Sequence, residues 1–445
     1  MGCPFNVPQD PGKRKFFGTL GLIAAAVPLA TIAPWAKILG EDTDIAPMTE
    51  GNSNIEPFVS AHQNGIARSM QTNTSFATFD LTTTRREDVV KLLRVWTDAA
   101  QRLTNGQQVQ SIDQATSSDD YGDSGKSSKS NESSDSDDTL GLSPSRLTIT
   151  FGFGPGLFLK DGIDRYGLAH QRPEALIDMP RFIGDKIVAG FDGGDLSVQA
   201  CADDPQVTFH VIRELSRLAY GIAELRWAQN GFVPKFGPME TPRNLMGFKD
   251  GTINPSIKDP EAMAKFIWVG DEGPAWMSGG SYMVVRKIRM ALEHWDRMKL
   301  SFQEQTVGRY KLSGAPLSGK NEKDPLDLDA KDADGNPLIP ENSHVALGAP
   351  ANNDGAQILR RGYSYDNNLS FTAERWPPWH QGMEFDAGLL FMCYQRDPRT
   401  GFVKIYERMS KFDMMNQFVT HIGSGLFACP PGVKQGEFIG QRLFS

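Results

Sequence analysis

One carboxylate of the chain, Asp250, is flanked by Gly247 and Gly251 in the segment Gly-Phe-Lys-Asp-Gly-Thr-Ile-Asn-Pro that begins at residue 247. Glycine adopts positive φ without strain and lets a backbone approach a bulky ligand closely. A segment so rich in turn formers is not expected to form a helix or a central strand. The pattern predicts an acid that a tight turn holds against a large ligand, although an isolated Asp-Gly pair is also typical of an ordinary surface turn.

Two further features could complete a haem site that reacts with peroxide. His344 follows a polar tract, and a neutral imidazole is a common axial ligand of haem iron. Arg360 and Arg361 follow shortly afterwards, where an apolar strand begins. A carboxylate and a permanently charged guanidinium suit proton transfer and charge stabilisation on a peroxide. The alternatives are a structural histidine and surface arginines in salt bridges.

Adjacent residues of a strand point to opposite faces, so only one of the two arginines can face such a pocket. The other would face solvent or a haem propionate. The sequence leaves open which of Arg360 and Arg361 faces the iron.

Apolar periodicity predicts the elements that position these residues, in an order that occurs twice. The first copy comprises strands at 65–69, 75–81, 147–153 and 196–202 and helices at 85–103 and 205–219. The second copy comprises strands at 282–288, 358–365, 388–394 and 425–429 and helices at 291–302 and 404–412. Two successive β-α-β-β-α-β units predict an α+β fold with antiparallel sheets backed by helices. We place the two domains at residues 51–235 and 236–445.

Composition excludes some classes of protein. The 445 residues carry a net charge of −8 and no long basic block, so a nucleic-acid partner is not expected. The four cysteines are scattered without a Cys-x-x-Cys pair, which indicates neither a zinc site nor a disulfide framework. Residues 105–142 form a Ser/Asp-rich insertion that is expected to be disordered. A metal-binding role of its acidic residues is the alternative.

Residues 1–50 predict an export signal and linker. Lys13-Arg14-Lys15 precedes an uncharged stretch from Gly18 to Ala36, which is the layout of a signal peptide. The pattern resembles a twin-arginine signal in which Lys13 replaces the first arginine. A retained membrane anchor is the alternative, because about 20 apolar residues can span a bilayer. The expected location is the periplasm, the cell surface or the outside of the cell.

In several ordered segments the chain resembles the dye-decolourising (DyP-type) haem peroxidases, and most of all their exported EfeB deferrochelatase/peroxidase branch. The segments are Pro57-Phe58 with His62-Gln63 and Gly65-Ile66, Gly247 to Thr252, Ser343-His344, Leu359 to Tyr365, Gly388 to Gln395, and Pro430-Pro431-Gly432. The resemblance implies two ferredoxin-like domains with one haem b in the C-terminal one.

Carried over residue by residue, the resemblance implies that Asp250 is the distal acid/base and Arg360 the distal arginine. It makes His344 the axial iron ligand and Phe391 an apolar residue of the distal pocket. Gly251 and Thr252 belong to the cofactor-binding turn. Strand alternation suggests a haem propionate as the partner of Arg361.

The resemblance also implies what the protein acts on. Hydrogen peroxide would be the oxidant, and a dye, a porphyrin or ferrous iron would be the one-electron donor. Components of an iron-uptake system are possible partners, and a homo-oligomer such as a dimer is expected. The alternative is a haem-binding or iron-delivery protein with incidental peroxidase activity. A carrier needs only the ligand and the pocket, so an intact Asp250–Arg360 pair favours the enzyme.

Overall fold

The computed structural model describes residues 54–109, 135–237, 240–373 and 381–445. The strands are β1 (Asn73–Leu81), β2 (Thr148–Phe153), β3 (Leu196–Ala202), β4 (Ala223–Phe232), β5 (Ser281–Met290), β6 (Leu359–Arg360), β7 (Tyr363–Ala373), β8 (Gln381–Gln395) and β9 (Val419–Cys429). The α-helices are α1 (Asn64–Ala67), α2 (Arg86–Thr104), α3 (Pro155–Phe158), α4 (Pro205–Leu218), α5 (Pro260–Phe266), α6 (Leu292–Asp296), α7 (Leu300–Val307), α8 (His344–Gly348), α9 (Lys404–Phe412) and α10 (Gln441–Phe444). The predicted export signal and most of the predicted insertion lie outside the described residues.

The strands form two four-stranded antiparallel sets that meet at their edges. In the first half the order is β2-β3-β1-β4, and in the second half it is β7-β8-β5-β9. Phe232 pairs with Ser364 between β4 and β7, and Phe153 pairs with Ala428 between β2 and β9. The eight strands therefore pair in the order β2-β3-β1-β4-β7-β8-β5-β9, and β9 pairs with β2 again. The short β6 pairs with β8. The prediction of an α+β fold with antiparallel sheets is confirmed.

Two helices cover the sheet of the first half because one face of each is apolar. In α2, Val89, Leu92, Leu93 and Trp96 recur at helical spacing, and all four are buried. Helix α4 begins after Asp204, whose carboxylate accepts hydrogen bonds from the first-turn amides of Gln206 and Val207. Trp96 Nε1 donates a 2.9 Å hydrogen bond to the Leu215 carbonyl and so joins the two helices.

Several predicted elements differ from those observed. Residues 65–69 were expected as a strand, but α1 occupies most of them. The expected helix at 291–302 is divided into α6 and α7 because Lys299 has an extended backbone. The expected strand at 358–365 is divided into β6 and β7, and β4 was not predicted.

The described residues form one compact unit. The domain boundary between residues 235 and 236 stays a prediction. Over the residues described, no helix combines the length and the apolar character that crossing a bilayer requires.

Candidate functional site

A cavity opens in the second half, where β5 and β8 face α8 and α9. Its interior volume is about 230 Å³. Much of its wall is apolar, with side chains from the sheet, the loops and the helices: Met246, Phe248, Ile288, Met290, Val307, Phe391, Ile405, Met409 and Val419. Six predicted site residues line this one cavity: Asp250, Gly251, Thr252, His344, Arg360 and Phe391. The sequence prediction thus brings together residues from four separate segments.

The turn around Asp250 has the backbone that its glycines predict. Gly247 has φ +85° and Gly251 has φ +114°, values that a residue with a Cβ rarely adopts. The Asp250 amide donates a 2.9 Å hydrogen bond to the Pro242 carbonyl, and the Asn254 amide donates to the Gly251 carbonyl at 3.1 Å. These bonds hold the carboxylate at the cavity wall.

Glu322 supports this turn from outside. Its carboxylate accepts hydrogen bonds from Lys249 and Thr241, and from the Thr252 hydroxyl at 3.2 Å. Burial raises the pKa of Glu322, but the hydrogen bonds from Lys249 and Thr241 outweigh it, so the pKa lies below its ordinary value. Glu322 lies in the polar tract that precedes His344, and no local pattern of that tract indicates the contact with Thr252, which lies 70 positions earlier.

Arg360 faces Asp250 across the cavity wall. Its Nη1 donates a 3.1 Å hydrogen bond to Asp250 Oδ1, and each side chain is 27% exposed. Asn254 fixes the arginine backbone, because its amide nitrogen donates to the Arg360 carbonyl at 2.7 Å and its oxygen accepts from the Arg360 amide at 3.1 Å. The sequence reasoning missed Asn254 as a positioning residue, although it lies in the same glycine-rich segment as Asp250.

Arg361 points to the other face of the strand and does not line the cavity. Its guanidinium donates to the Arg68 carbonyl and, at 3.1 Å, to Gln71 Oε1, and the residue is 3% exposed. The predicted alternation of the two arginines is therefore observed, and Arg360 is the one that faces Asp250. The prediction that Arg361 contacts a haem propionate is not supported, because its side chain is buried among residues of the first half.

His344 is the first residue of α8, and its side chain is 40% exposed to the cavity. Its Nδ1 lies 2.7 Å from Asp413 Oδ2, which leaves Nε2 as the nitrogen free for a metal bond when the ring is neutral. Burial lowers the pKa of His344, but the Asp413 carboxylate outweighs it, and the net pKa is raised.

Asp413 is itself buried, and its other oxygen accepts a 2.8 Å hydrogen bond from the Met415 amide. A ligating histidine usually donates its second N–H to a carboxylate or carbonyl, which fixes its orientation and raises its basicity. The sequence reasoning missed Asp413. The two residues are 69 positions apart, and no local pattern connects them.

Arg309 is a second guanidinium in the cavity wall and, unlike Arg360, it is buried. Its Nη1 donates to the carbonyls of Gly314 at 2.7 Å and Glu322 at 2.9 Å. Burial is the main cause that lowers the pKa of Arg309; the charge of Glu322 opposes it, and the charge of Arg360 acts in the same direction as burial.

An acid paired with an arginine, and a carboxylate-held histidine in the same apolar cavity, are the groups expected of a haem site that reacts with peroxide. Comparison with known proteins agrees. The family model described as Dyp-type peroxidase, N-terminal, matches residues 63–233, and the C-terminal model matches residues 241–434. The chain belongs to the Dyp-type peroxidase family.

Relatives from other organisms match over most of the chain. The dye-decolorizing peroxidase of Thermobifida fusca is 38% identical over 368 residues, which cover 81% of this chain and 76% of the relative. The deferrochelatase of Escherichia coli K12 is 32% identical over 452 residues, which cover 98% of each chain. The structure of ferric DtpA from Streptomyces lividans has 38% identity and a TM-score of 0.76, and it covers 90% of this chain and 100% of that one.

Proposed function

We propose that this haem peroxidase holds one haem b in the cavity with His344 as the axial iron ligand, and that it uses hydrogen peroxide to oxidise a one-electron donor. The observation that carries the proposal is the Asp250–Arg360 pair at 3.1 Å in the cavity into which His344 opens. In this reading the two halves are ferredoxin-like units, and the second one contains the haem.

The residues of the cavity fit a haem. The largely apolar wall suits a flat macrocycle with one polar edge. His344, held through Nδ1 by Asp413, presents Nε2 for the iron. Arg309 is a better candidate than Arg361 for a propionate carboxylate, because it lines the cavity and its burial disfavours an uncompensated charge.

When bound, the haem iron would supply the redox chemistry that cleaves the peroxide O–O bond. The Asp250 carboxylate accepts a proton from one peroxide oxygen and returns it to the other oxygen, which leaves as water. The Arg360 guanidinium stabilises the negative charge that develops on the peroxide. Asn254 and Glu322 keep these two groups in place, since one bonds the backbone of Arg360 and the other the turn of Asp250.

We further propose a dye, a porphyrin or ferrous iron as the electron donor, and a role in iron uptake with components of an uptake system. The deferrochelatase name of several relatives supports this reading. Export through the twin-arginine-like signal in residues 1–50 and assembly as a dimer belong to the same proposal.

The alternative is a haem-binding or iron-delivery protein whose peroxidase activity is incidental. A carrier requires His344 and the cavity but not a paired acid and arginine. The intact Asp250–Arg360 hydrogen bond therefore favours the enzyme.

The test uses purified protein titrated with haem, followed by peroxide and a dye. We expect His344→Ala to lose the absorbance spectrum of histidine-ligated haem and most of the haem affinity. We expect Asp250→Asn to keep the haem spectrum but to lose about 10²–10⁴-fold in kcat/KM for peroxide. Asp271→Asn, an exposed carboxylate outside the cavity, is the matched control. Loss of dye turnover in Asp250→Asn with iron release from haem retained would support the carrier, and absence of haem binding would refute both readings.

A further inference from the structure

A second cluster of possible ligands lies in the first half, away from the haem cavity. It joins His210 of α4 to Asp135 and Asp138, which follow the part of the insertion that the structure leaves undescribed. His210 is 1% exposed, and its Nδ1 contacts Asp138 Oδ1. Its Nε2 is buried and has no hydrogen-bond partner within the described ranges. A buried ring nitrogen without a hydrogen bond requires an explanation.

The distance from His210 Nε2 to Asp135 offers an explanation for this unpaired nitrogen. Asp135 Oδ1 lies 3.4 Å from His210 Nε2. Hydrogen bonds of the N–H···O type span roughly 2.7–3.2 Å, so this contact is too long for a good one. Two ligands that are each about 2.0–2.1 Å from one tetrahedral Zn²⁺ lie about 3.4 Å apart. The spacing therefore suits two atoms that share a metal ion.

Asp138 is placed to orient the histidine. It accepts from His210 Nδ1, and it is held by the Ser136 hydroxyl at 2.8 Å and by Arg213 at 3.3 Å. A neutral imidazole that donates its Nδ1 proton directs the Nε2 lone pair toward Asp135. This is the carboxylate–histidine–metal arrangement that recurs in metalloproteins.

The surrounding charge favours a cation. Glu214, one turn after His210 on α4, has a fully buried side chain that accepts from the Ser136 amide at 3.1 Å. The arginines that pair with Glu214 and Asp138 are largely solvent-exposed, with side-chain exposures of 44% for Arg217 and 51% for Arg213. Buried carboxylates are stable only when their charge is compensated, and a divalent ion at Asp135 would contribute to that compensation.

We propose that His210 Nε2 and Asp135 bind a divalent transition-metal ion of the Zn²⁺ type, with Asp138 as the residue that orients His210 and with water completing the coordination. One imidazole and one carboxylate form a mixed N/O ligand set, which suits Zn²⁺ better than Ca²⁺ or Mg²⁺. Because Asp135 Oδ2 also accepts a 2.7 Å hydrogen bond from the Val109 amide, the ion would tie both ends of the Ser/Asp-rich insertion to α4. The site is structural and independent of the peroxidase site.

The test measures zinc on haem-loaded protein that has first been dialysed against a chelator. Zn²⁺ is titrated in competition with a chromophoric chelator, and zinc per chain is counted by elemental analysis. We expect one Zn²⁺ per wild-type chain, a thermal midpoint that rises with Zn²⁺, and no such rise with Ca²⁺. His210→Gln and Asp135→Asn should each remove the bound zinc. Asp138→Asn should weaken binding by about 10–100-fold, as loss of an orienting carboxylate does.

His170→Gln is the matched control, because His170 is exposed and distant from the cluster in sequence. Unchanged haem absorbance shows that each variant is folded. If His210→Gln loses the haem absorbance, the zinc content of Asp135→Asn decides the test. Wild-type protein without zinc would overturn the proposal and indicate instead an imidazolium between two aspartates. Equal zinc in the wild type and in both ligand variants would overturn it as well.

Discussion

The two halves of the molecule share one strand order but differ in what covers their sheets. In the first half, α2 and α4 lie directly on the sheet, and Trp96, Val211 and Leu215 are all fully buried in a continuous core. In the second half, the cover consists of short helices and long loops, and a cavity of about 230 Å³ remains between them and the sheet. The same topology thus gives a solid core in one half and a cofactor site in the other.

The reactive groups of the cavity come mostly from segments outside the four strands that the two halves share. The sheet of the second half supplies Phe391 as part of the cavity wall, whereas the reactive groups come from its additions: Asp250 from a turn, Arg360 from the short β6 and His344 from the start of α8. Each of these is held by a residue that is distant from it in sequence. Asn254 holds Arg360, Asp413 holds His344, and Glu322 holds the Asp250 turn. The site therefore depends on tertiary contacts between loops more than on the strands.

The largest effect that should separate the halves is the loss of a core side chain. Trp96→Ala should lower the free energy of unfolding by about 3–5 kcal/mol, because the tryptophan is fully buried and hydrogen-bonded to Leu215. Met409→Ala in haem-free protein should cost only about 2 kcal/mol, because Met409 already borders the cavity. Urea unfolding of both haem-free variants measures the two values. Equal losses in the free energy of unfolding for Trp96→Ala and Met409→Ala would show that the cavity is closed in solution.

A second effect should be confined to the cavity half. Asp413→Asn removes the carboxylate that holds His344 Nδ1, so haem affinity should fall by about 10–100-fold. Haem titration followed by absorbance measures the change. Asp271→Asn serves as the control, and unchanged affinity in Asp413→Asn would mean that the pair does not orient the ligand.

Sequence patterns predicted the elements of the solid half better than those of the cavity half. Trp96 and its neighbours have strict helical spacing, and the observed α2 agrees with the predicted range to within one residue at each end. The region around His344 has no such periodicity, because its short elements are set by contacts with distant segments. Arg360 and Arg361 illustrate this limit: alternation places them on opposite faces, but only the fold determines which face borders the cavity.

Local signals did indicate the reactive residues themselves. The glycines around Asp250 marked a turn, and both adopt positive φ. The partners Asp413 and Glu322 carry no such signal. Glu322 lies in a polar tract that is typical of any surface, and Asp413 lies between Phe412 and Met414 with no local pattern that links it to His344. Strand β4 was missed because its buried positions include Gln229 and Gly231, so that buried and exposed residues alternate without an alternation of apolar and polar residues.

A smaller effect should distinguish positioning from binding inside the cavity. Asn254→Ala removes the bonds to the Arg360 backbone, so kcat/KM for peroxide should fall about tenfold as Arg360 loses its fixed geometry. Haem affinity should not change, because Asn254 contacts neither His344 nor Asp413. Steady-state kinetics with Asn336→Ala, in an exposed loop, as the control measures the effect. A loss of haem binding would instead give Asn254 a structural role.

The smallest effect concerns an ion pair of the second half outside the cavity. Glu272 accepts two hydrogen bonds from Arg396, at 2.6 and 2.7 Å, and this guanidinium lowers the pKa of Glu272 from 4.5 to about 2, against a smaller opposing effect of burial. A lowered pKa in the folded state stabilises the protein above pH 4.5, and that stabilisation is lost as the pH falls toward 2. Because the two side chains are 45% and 37% exposed, solvent screening limits it to less than about 1 kcal/mol. Glu272→Gln should therefore lower the free energy of unfolding slightly at pH 7 and reduce its decline between pH 5 and 3, measured by urea unfolding, while haem affinity stays unchanged. A variant with the same pH dependence as the wild type would show that the pair does not form in solution.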